Sequence, residues 1–130
     1  MKTLFFISFL FVCSMVIGQS SKIIGTPVIV GELEVAEFDF PQKMTYNEAA
    51  NACAKLLGGG GWRLPTLDEL NLIYQYKDEI GGFKDWYYWS CTEASKWAVW
   101  AKALSSGYET ALDFEDSRFT TPNVRAVRDL

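Results

Sequence analysis

Eight side chains in the C-terminal third carry the chemistry of recognition: Trp86, Tyr87, Lys96, Trp97, Trp100, Lys102, Tyr108 and Arg118. Aromatic faces stack on sugar rings or anchor protein contacts, and neighbouring ammonium and guanidinium groups orient carboxylates. The competing use of rings such as Trp97 and Trp100 is to fill the core, and the sequence leaves both uses open. Catalysis has less to work with. The chain contains no histidine, which removes Ser-His-Asp and Cys-His nucleophile pairs, an imidazole base near neutral pH and every histidine-ligated metal site. A carboxylate pair such as Asp113 and Glu115 is what a small hydrolase would use, at a separation that only folding fixes. Asp113, Glu115 and Asp116 also suggest calcium, but that ion takes roughly six to eight oxygen ligands, and neither a metal nor a cofactor is expected.

The rest of the composition bounds the answer. With 130 residues, 49% of them apolar, there is room for one domain. The balance is 12 basic against 16 acidic side chains, too acidic to attract nucleic acid or an anionic membrane. Met1 to Ser20 has the three zones of an export signal: Lys2, an apolar run from Leu4 to Ile17, and the small residues around Gly18-Gln19-Ser20. That run is shorter and more interrupted than the roughly 20 apolar residues of a spanning helix. The expectation is a signal over residues 1–19, cleaved on export, with no membrane insertion afterwards; the competing reading is an uncleaved anchor. The mature protein is then secreted, periplasmic or held at the cell surface.

Cleavage leaves Cys53 and Cys91 as the only thiols. In an oxidising compartment they are available to bridge, a crosslink that stabilises by about 3–4 kcal/mol in the loop-entropy account. The alternative is two buried, unpaired cysteines.

The elements that must position these groups are legible in outline. A short leader over residues 20–32 precedes a domain over 33–130. Pro27 to Phe40 is strand-rich, with Leu33 and Val35 alternating against Glu32 and Glu34 and a break near Ala36. Thr45-Tyr46-Asn47-Glu48 has the spacing of a capping box, and Ala49, Ala50, Cys53, Leu56 and Leu57 follow on one helical face. Gly58 to Gly61 ends that helix; with no Gly-Lys-Ser/Thr after it, the run is a stop rather than a phosphate cradle. Thr66-Leu67-Asp68-Glu69 repeats the box ahead of a stripe of Leu67, Leu70, Ile73 and Tyr74. Beyond Gly81-Gly82 the pattern is β: Tyr87 to Thr92, Trp97 to Leu104, a hairpin turn at Ser105-Ser106-Gly107, Tyr108 to Phe114, a polar loop over Glu115 to Pro122, and a last strand over Asn123 to Arg128. This order is α+β, closed by its terminal strands.

Three strings in this order are distinctive: Gly61-Trp62-Arg63-Leu64-Pro65-Thr66 followed by Asp68-Glu69-Leu70, then Tyr88-Trp89-Ser90-Cys91-Thr92-Glu93, then Val124-Arg125-Ala126-Val127-Arg128. Together they resemble the Lcl C-terminal domain family of bacterial exported proteins, to which the Fibrobacter succinogenes major domain looks related. The resemblance spans about Leu33 to Arg128 and implies a C-type-lectin-like fold. It also implies a surface binding module; the family takes its name from an adhesin whose terminal domain binds sulfated glycosaminoglycans. Two departures stand out. The final-strand cysteine of many relatives is Ala126 here, and the usual Trp-Ser-Ser-Thr is Trp-Ser-Cys-Thr, which makes Cys91 a substitute partner for Cys53. The acidic balance argues against polyanion binding, and the Glu-Pro-Asn and Trp-Asn-Asp strings of calcium-dependent sugar binders are absent, Thr121-Pro122-Asn123 being only a faint echo.

Within that resemblance, Trp62, Arg63 and Trp89 read as scaffold rather than as a sugar platform, and Arg125 and Arg128 as fixed against helix dipoles or acidic loops. The expected function is a non-catalytic, lectin-like binding module for a glycan or a surface protein. Protein recognition on the same face is the first rival, and a carboxylate-based hydrolase the second.

Overall fold

The computed structural model describes residue 20 and residues 22–57, 60–114 and 121–130. The expected signal over 1–19 lies outside the described residues, as do Arg118, Glu115 and Asp116. The fold is α+β. Strands β1 (Val28–Val30) and β2 (Leu33–Val35) form a hairpin, with Val30 opposite Leu33 across a two-residue turn. Helices α1 (Tyr46–Ala54), α2 (Leu67–Gln75) and the single turn α3 (Lys77–Ile80) follow. Then come β3 (Tyr87–Ser95), β4 (Ala98–Ala103), β5 (Glu109–Asp113) and β6 (Val127–Asp129). The strands make two antiparallel sheets, in the orders β1-β2-β6 and β3-β4-β5. Among the described residues no helix is long and apolar enough to cross a membrane.

Both capping boxes form. Thr45 Oγ1 accepts from Glu48 N while Glu48 returns a carboxylate to Thr45 N, and Thr66 and Glu69 do the same. Each box satisfies two amides that the first helical turn would otherwise leave unpaired. The α2 stripe buries Leu70 and Ile73 against the β3-β4-β5 sheet. Helix α1 buries Ala49 and Cys53 but stops at Ala54, ahead of the glycine run, which leaves Leu57 exposed.

The terminal segment ties the two sheets together. Asn123 exchanges backbone hydrogen bonds with Tyr87 and Trp89 of β3, Val124 and Ala126 accept from Phe40 and Ala36, and Val127 pairs with Arg63 as well as with Val35. The segment Asn123 to Arg128, read in sequence as one strand, therefore serves four partners in turn, and only its Val127 and Arg128, continued by Asp129, pair as a strand.

The leader needs correction. Residues 28–30 are β1, Ile23 is buried in the core, and Ile23 and Ile24 accept backbone hydrogen bonds from Phe38 and Glu37. The packed domain therefore begins well before Leu33. The break expected near Ala36 is present: β2 ends at Val35, where the chain leaves β6 to follow Ala126 and Val124. Of the two phenylalanines beyond it, Phe40 is buried and Phe38 exposed.

Two clusters make the core. One gathers Cys53, Trp62, Leu64, Trp89, Val99 and Val124 under α1; the other gathers Leu33, Val35, Leu70, Ile73, Tyr88 and Val127 under α2.

Candidate functional site

The residues of the three distinctive strings hold the scaffold. Trp62 and Trp89 are 3% and 1% exposed. Trp89 Nε1 donates to Met44 O at 2.8 Å, and its ring meets Tyr46 edge-on at 5.7 Å. Trp62 Nε1 is buried without a partner among the described residues, while the Arg128 guanidinium stacks 4.7 Å from its ring. Arg63 grips Glu69 through both terminal nitrogens at 2.7 and 2.8 Å and reaches Asp129 at 2.6 Å. The Arg63 hydrogen bonds hold the Glu69 carboxyl below its ordinary range, against the opposing effect of burial.

Arg125 is fully buried. Its Nε donates to Asp39 Oδ1 at 2.6 Å, and its terminal nitrogens donate to the carbonyls of Ala36, Gly81 and Gly82. Asp39 Oδ2 accepts from Tyr88 OH at 2.6 Å, and Tyr88 OH accepts from Lys84 N at 2.8 Å. Burial, followed by the Asp39 hydrogen bond, pushes the Tyr88 phenol up. The arrangement is a buried charge pair with its remaining donors used on backbone.

The ligand candidates separate along the β3-β4-β5 sheet. Tyr87 pairs with Ala103, and Ala103 N donates to Tyr108 O at 2.8 Å, so Trp86, Tyr87 and Tyr108 share one end. Lys96 and Trp97 make the β3–β4 turn at the other end. β4 has six residues, which puts the two ends about 17 Å apart. Trp86, Trp97 and Tyr108 are 43%, 66% and 73% exposed. The Trp86 and Tyr87 rings meet edge-on at 5.3 Å, and Lys96 Nζ lies 5.4 Å over the Trp97 ring. Trp86 has φ +91°, a backbone region that a tryptophan enters only under constraint.

Two candidates are internal instead. The Lys102 side chain is buried, donating to Gly107 O at 3.2 Å and Glu109 Oε1 at 3.3 Å, with Nζ 5.0 Å from the Tyr74 ring. Lys102 and Trp100 stand on the β4 face opposite Val99 and Ala101, and Trp100 is partly buried. Neither belongs to an exposed aromatic end. The reason is α2, which crosses β3 and β4 and brings Tyr74 down over Lys102. Lys77 Nζ also lies against that ring, 4.6 Å from its centre, and donates to Leu104 O and Ser105 O. Gly107, with φ +84°, sits where a Cβ would meet the Tyr74 ring at 3.1 Å, so both the backbone and the ring favour glycine at this point of the β4–β5 turn.

The proposed disulfide is absent. Cys53 and Cys91 are free thiols, the first buried and the second half-buried with Sγ 3.6 Å from Leu64 O. Cys91 faces the backbone of the Leu64-Pro65 segment, whose Pro65 O accepts from Cys91 N, and Cys53 is enclosed by apolar side chains. Burial pushes the Cys53 thiol up to about 12 and also raises Cys91. These are inert core thiols in their present setting.

Compared with protein-family models and with the curated proteins, the chain matches none.

A cleft of about 340 Å³ opens at the Trp86 end, between the Gly81–Asp85 loop and the Leu104–Ser105 turn, with Lys77 and Asp78 in its wall. The sequence reading missed it. Gly81-Gly82 registered only as a break, and the charged residues on either side carry no local pattern that separates a solvated face from a pocket wall. Among the described residues no group of three cysteine, aspartate or glutamate side chains is placed to hold a metal ion. The Asp113–Glu115 pair has one member outside the described residues.

Proposed function

We propose that this protein is a non-catalytic, lectin-like binding module, exported from the cytoplasm, that recognises a glycan on a surface. The resemblance to the Lcl C-terminal family motivates the C-type-lectin-like part of this reading. The observation that carries it is the division of the aromatic residues. Trp62 and Trp89 are enclosed, whereas Trp86 and Tyr108, at one end of the β3-β4-β5 sheet, expose rings that the core has no use for. Exposed large aromatics lose the hydration benefit of burial and mark recognition surfaces when they cluster beside polar groups.

The test is binding of the exported protein to an array of neutral and sulfated glycans, with and without calcium. Retention of neutral glycans ahead of heparin is expected, because the acidic balance repels polyanions. Failure of every glycan, with retention of a surface protein instead, overturns the lectin reading in favour of protein recognition. Export is checked separately, by N-terminal sequencing of protein collected outside the cytoplasm, which is expected to begin near Gln19 or Ser20.

A further inference from the structure

We propose that the cleft between the Gly81–Asp85 loop and the Leu104–Ser105 turn is the primary pocket of this module and takes one uncharged pyranose residue, stacked on Trp86. The proposal rests on the lectin-like reading above and adds the site, the ligand chemistry and the residues that hold the pocket in shape.

Its size suits a small ligand. The volume of about 340 Å³ falls in the lower part of the range for small-molecule sites, about 300–1,000 Å³. Its wall offers both kinds of hydrogen-bonding group: carboxylate acceptors on Asp78 and Asp85, and ammonium donors on Lys77 and Lys84. The two signs balance. A polyanion would meet both aspartates and a polycation both lysines, whereas a ring of hydroxyls, each able to donate and accept, satisfies both at once. Trp86 does not line the cleft itself but directly follows Asp85, the last lining residue of that loop, so its ring, 43% exposed, is the aromatic face within reach of a pyranose held there.

The walls are preorganised from behind. Arg125 donates to the carbonyls of Gly81 and Gly82, Tyr88 OH holds Lys84 N, and Asn123 Nδ2 donates to Asp85 O at 3.0 Å. On the opposite wall Lys77 Nζ fixes the carbonyls of Leu104 and Ser105. The Gly81–Asp85 loop and the Leu104–Ser105 turn are thus each held by side chains from outside them, which lowers the ordering cost of binding. Gly82 is held at φ +76° with its Cβ position in ordinary contact, 3.4 Å, with Arg125 Nη2, so it is the backbone conformation rather than space that calls for glycine in this loop. The chain leaves this loop through Trp86 at φ +91°. Burial does not account for that strain, since the ring ends up half in solvent; an outward-facing stacking surface beside the cleft does.

Arg125, Asp39 and Tyr88 are thus positioning residues, and Asp85 and Trp86 the binding ones. The experiment uses the exported protein on an array of neutral oligosaccharides ending in glucose, galactose, mannose or N-acetylhexosamines, with heparin as the polyanion. Four forms are compared: wild type, Asp85→Asn, Trp86→Gly and Trp97→Ala. Wild type and Trp97→Ala are expected to retain the same neutral glycans with similar affinity. Asp85→Asn and Trp86→Gly are expected to lose affinity on the order of tenfold or more. Glycine relieves the +91° backbone, which offsets the loss of the ring's edge-on contact with Tyr87, and a thermal melt of each variant shows whether a binding loss comes from unfolding. Binding that survives Asp85→Asn and Trp86→Gly but disappears in Trp97→Ala would overturn the cleft while leaving the lectin reading in place. Preference for heparin would overturn the uncharged ligand, and absence of any glycan binding would overturn both.

Discussion

Asp39→Ala is the most severe test of the architecture that a single small substitution offers. The Arg125 and Asp39 side chains are 0% and 3% exposed and meet at 2.6 Å. Removing the carboxylate leaves a buried guanidinium with backbone carbonyls and the Phe83 ring around it but no counter-charge, and leaves Tyr88 OH without its acceptor. Breaking a buried pair from one side costs about 3–5 kcal/mol, because the surviving charge cannot reach water. A domain of this size is stabilised by about 5–15 kcal/mol in all. The melting temperature should therefore fall by more than about 12 °C, at about 4–8 °C per kcal/mol. Asp39→Asn separates the contributions: it keeps an acceptor for Tyr88 OH and loses only the charge, so its loss should be smaller than that of the alanine variant. Urea unfolding followed by tryptophan fluorescence at neutral pH measures both. Asp129→Ala is the control, since its partner Arg63 stays paired with Glu69 and the Asp129 side chain is 78% exposed; it should change stability by about 0.5 kcal/mol or less. If Asp39→Ala unfolds within about 1 kcal/mol of wild type, the Arg125 cluster is not what holds the terminal segment to the Gly81–Gly82 loop.

Trp89→Ala should destabilise by about 3–5 kcal/mol, as truncations of large core residues do, whereas Trp97→Ala should stay within about 0.5 kcal/mol; thermal melts compare the two. Thr66→Ala removes one half of the α2 capping box and should cost about 1 kcal/mol in urea unfolding. Both thiols should react with Ellman's reagent in denaturant without prior reduction, and Cys53 should be protected in the native protein. Because the folded state raises the Cys53 pKa from 9.0 to about 12, it keeps a proton that the unfolded chain gives up. Stability from this site is complete below about pH 9 and is lost toward pH 12, at about 1.4 kcal/mol per pH unit. Cys53→Ala should make that alkaline slope shallower from about pH 9 upward, the remainder coming from Cys91, raised in the same direction, and toward pH 10 from the Tyr88 phenol.

What the sequence revealed divides by the range of the interaction. Thr45 with Glu48 and Thr66 with Glu69 act over three residues, so their spacing alone identifies both helix starts. The Ser105-Ser106-Gly107 turn is equally local, and the hairpin it closes pairs as its alternation implies. Alternation says that Lys102 and Trp100 share one face of β4, but it does not say that α2 covers that face. Lys102 therefore looked like a free cation and is a clamp. The arginines of the last segment were readable as held by acidic groups, and Arg128 does pair with Glu34 at 2.6 Å. The partner of Arg125, 86 residues away, was not, because Asp39 sits in an irregular stretch between two phenylalanines and carries no period of its own. The Cys53–Cys91 bridge failed for a similar reason. Two thiols and a compartment specify an opportunity, and only packing decides whether the sulfurs face one another.

The same division separates scaffold from site. Trp62, Arg63, Trp89, Arg125 and Arg128 are enclosed, ion-paired or both, and each touches the terminal segment or lies within it. Changing any of them disturbs contacts between sheets. Trp97 and Tyr108 stand at turns and strand ends with rings largely in solvent, and Trp86, just ahead of β3, keeps its ring about half in solvent, so replacing them alters fewer packed contacts. On the proposed reading, a ligand preference written in Trp86 and the rim of the cleft can change at little cost to the fold, because Arg125, Tyr88, Asn123 and Lys77 pin the walls from behind. Stability and specificity are then carried by different side chains, which is what a binding scaffold reused for different ligands requires.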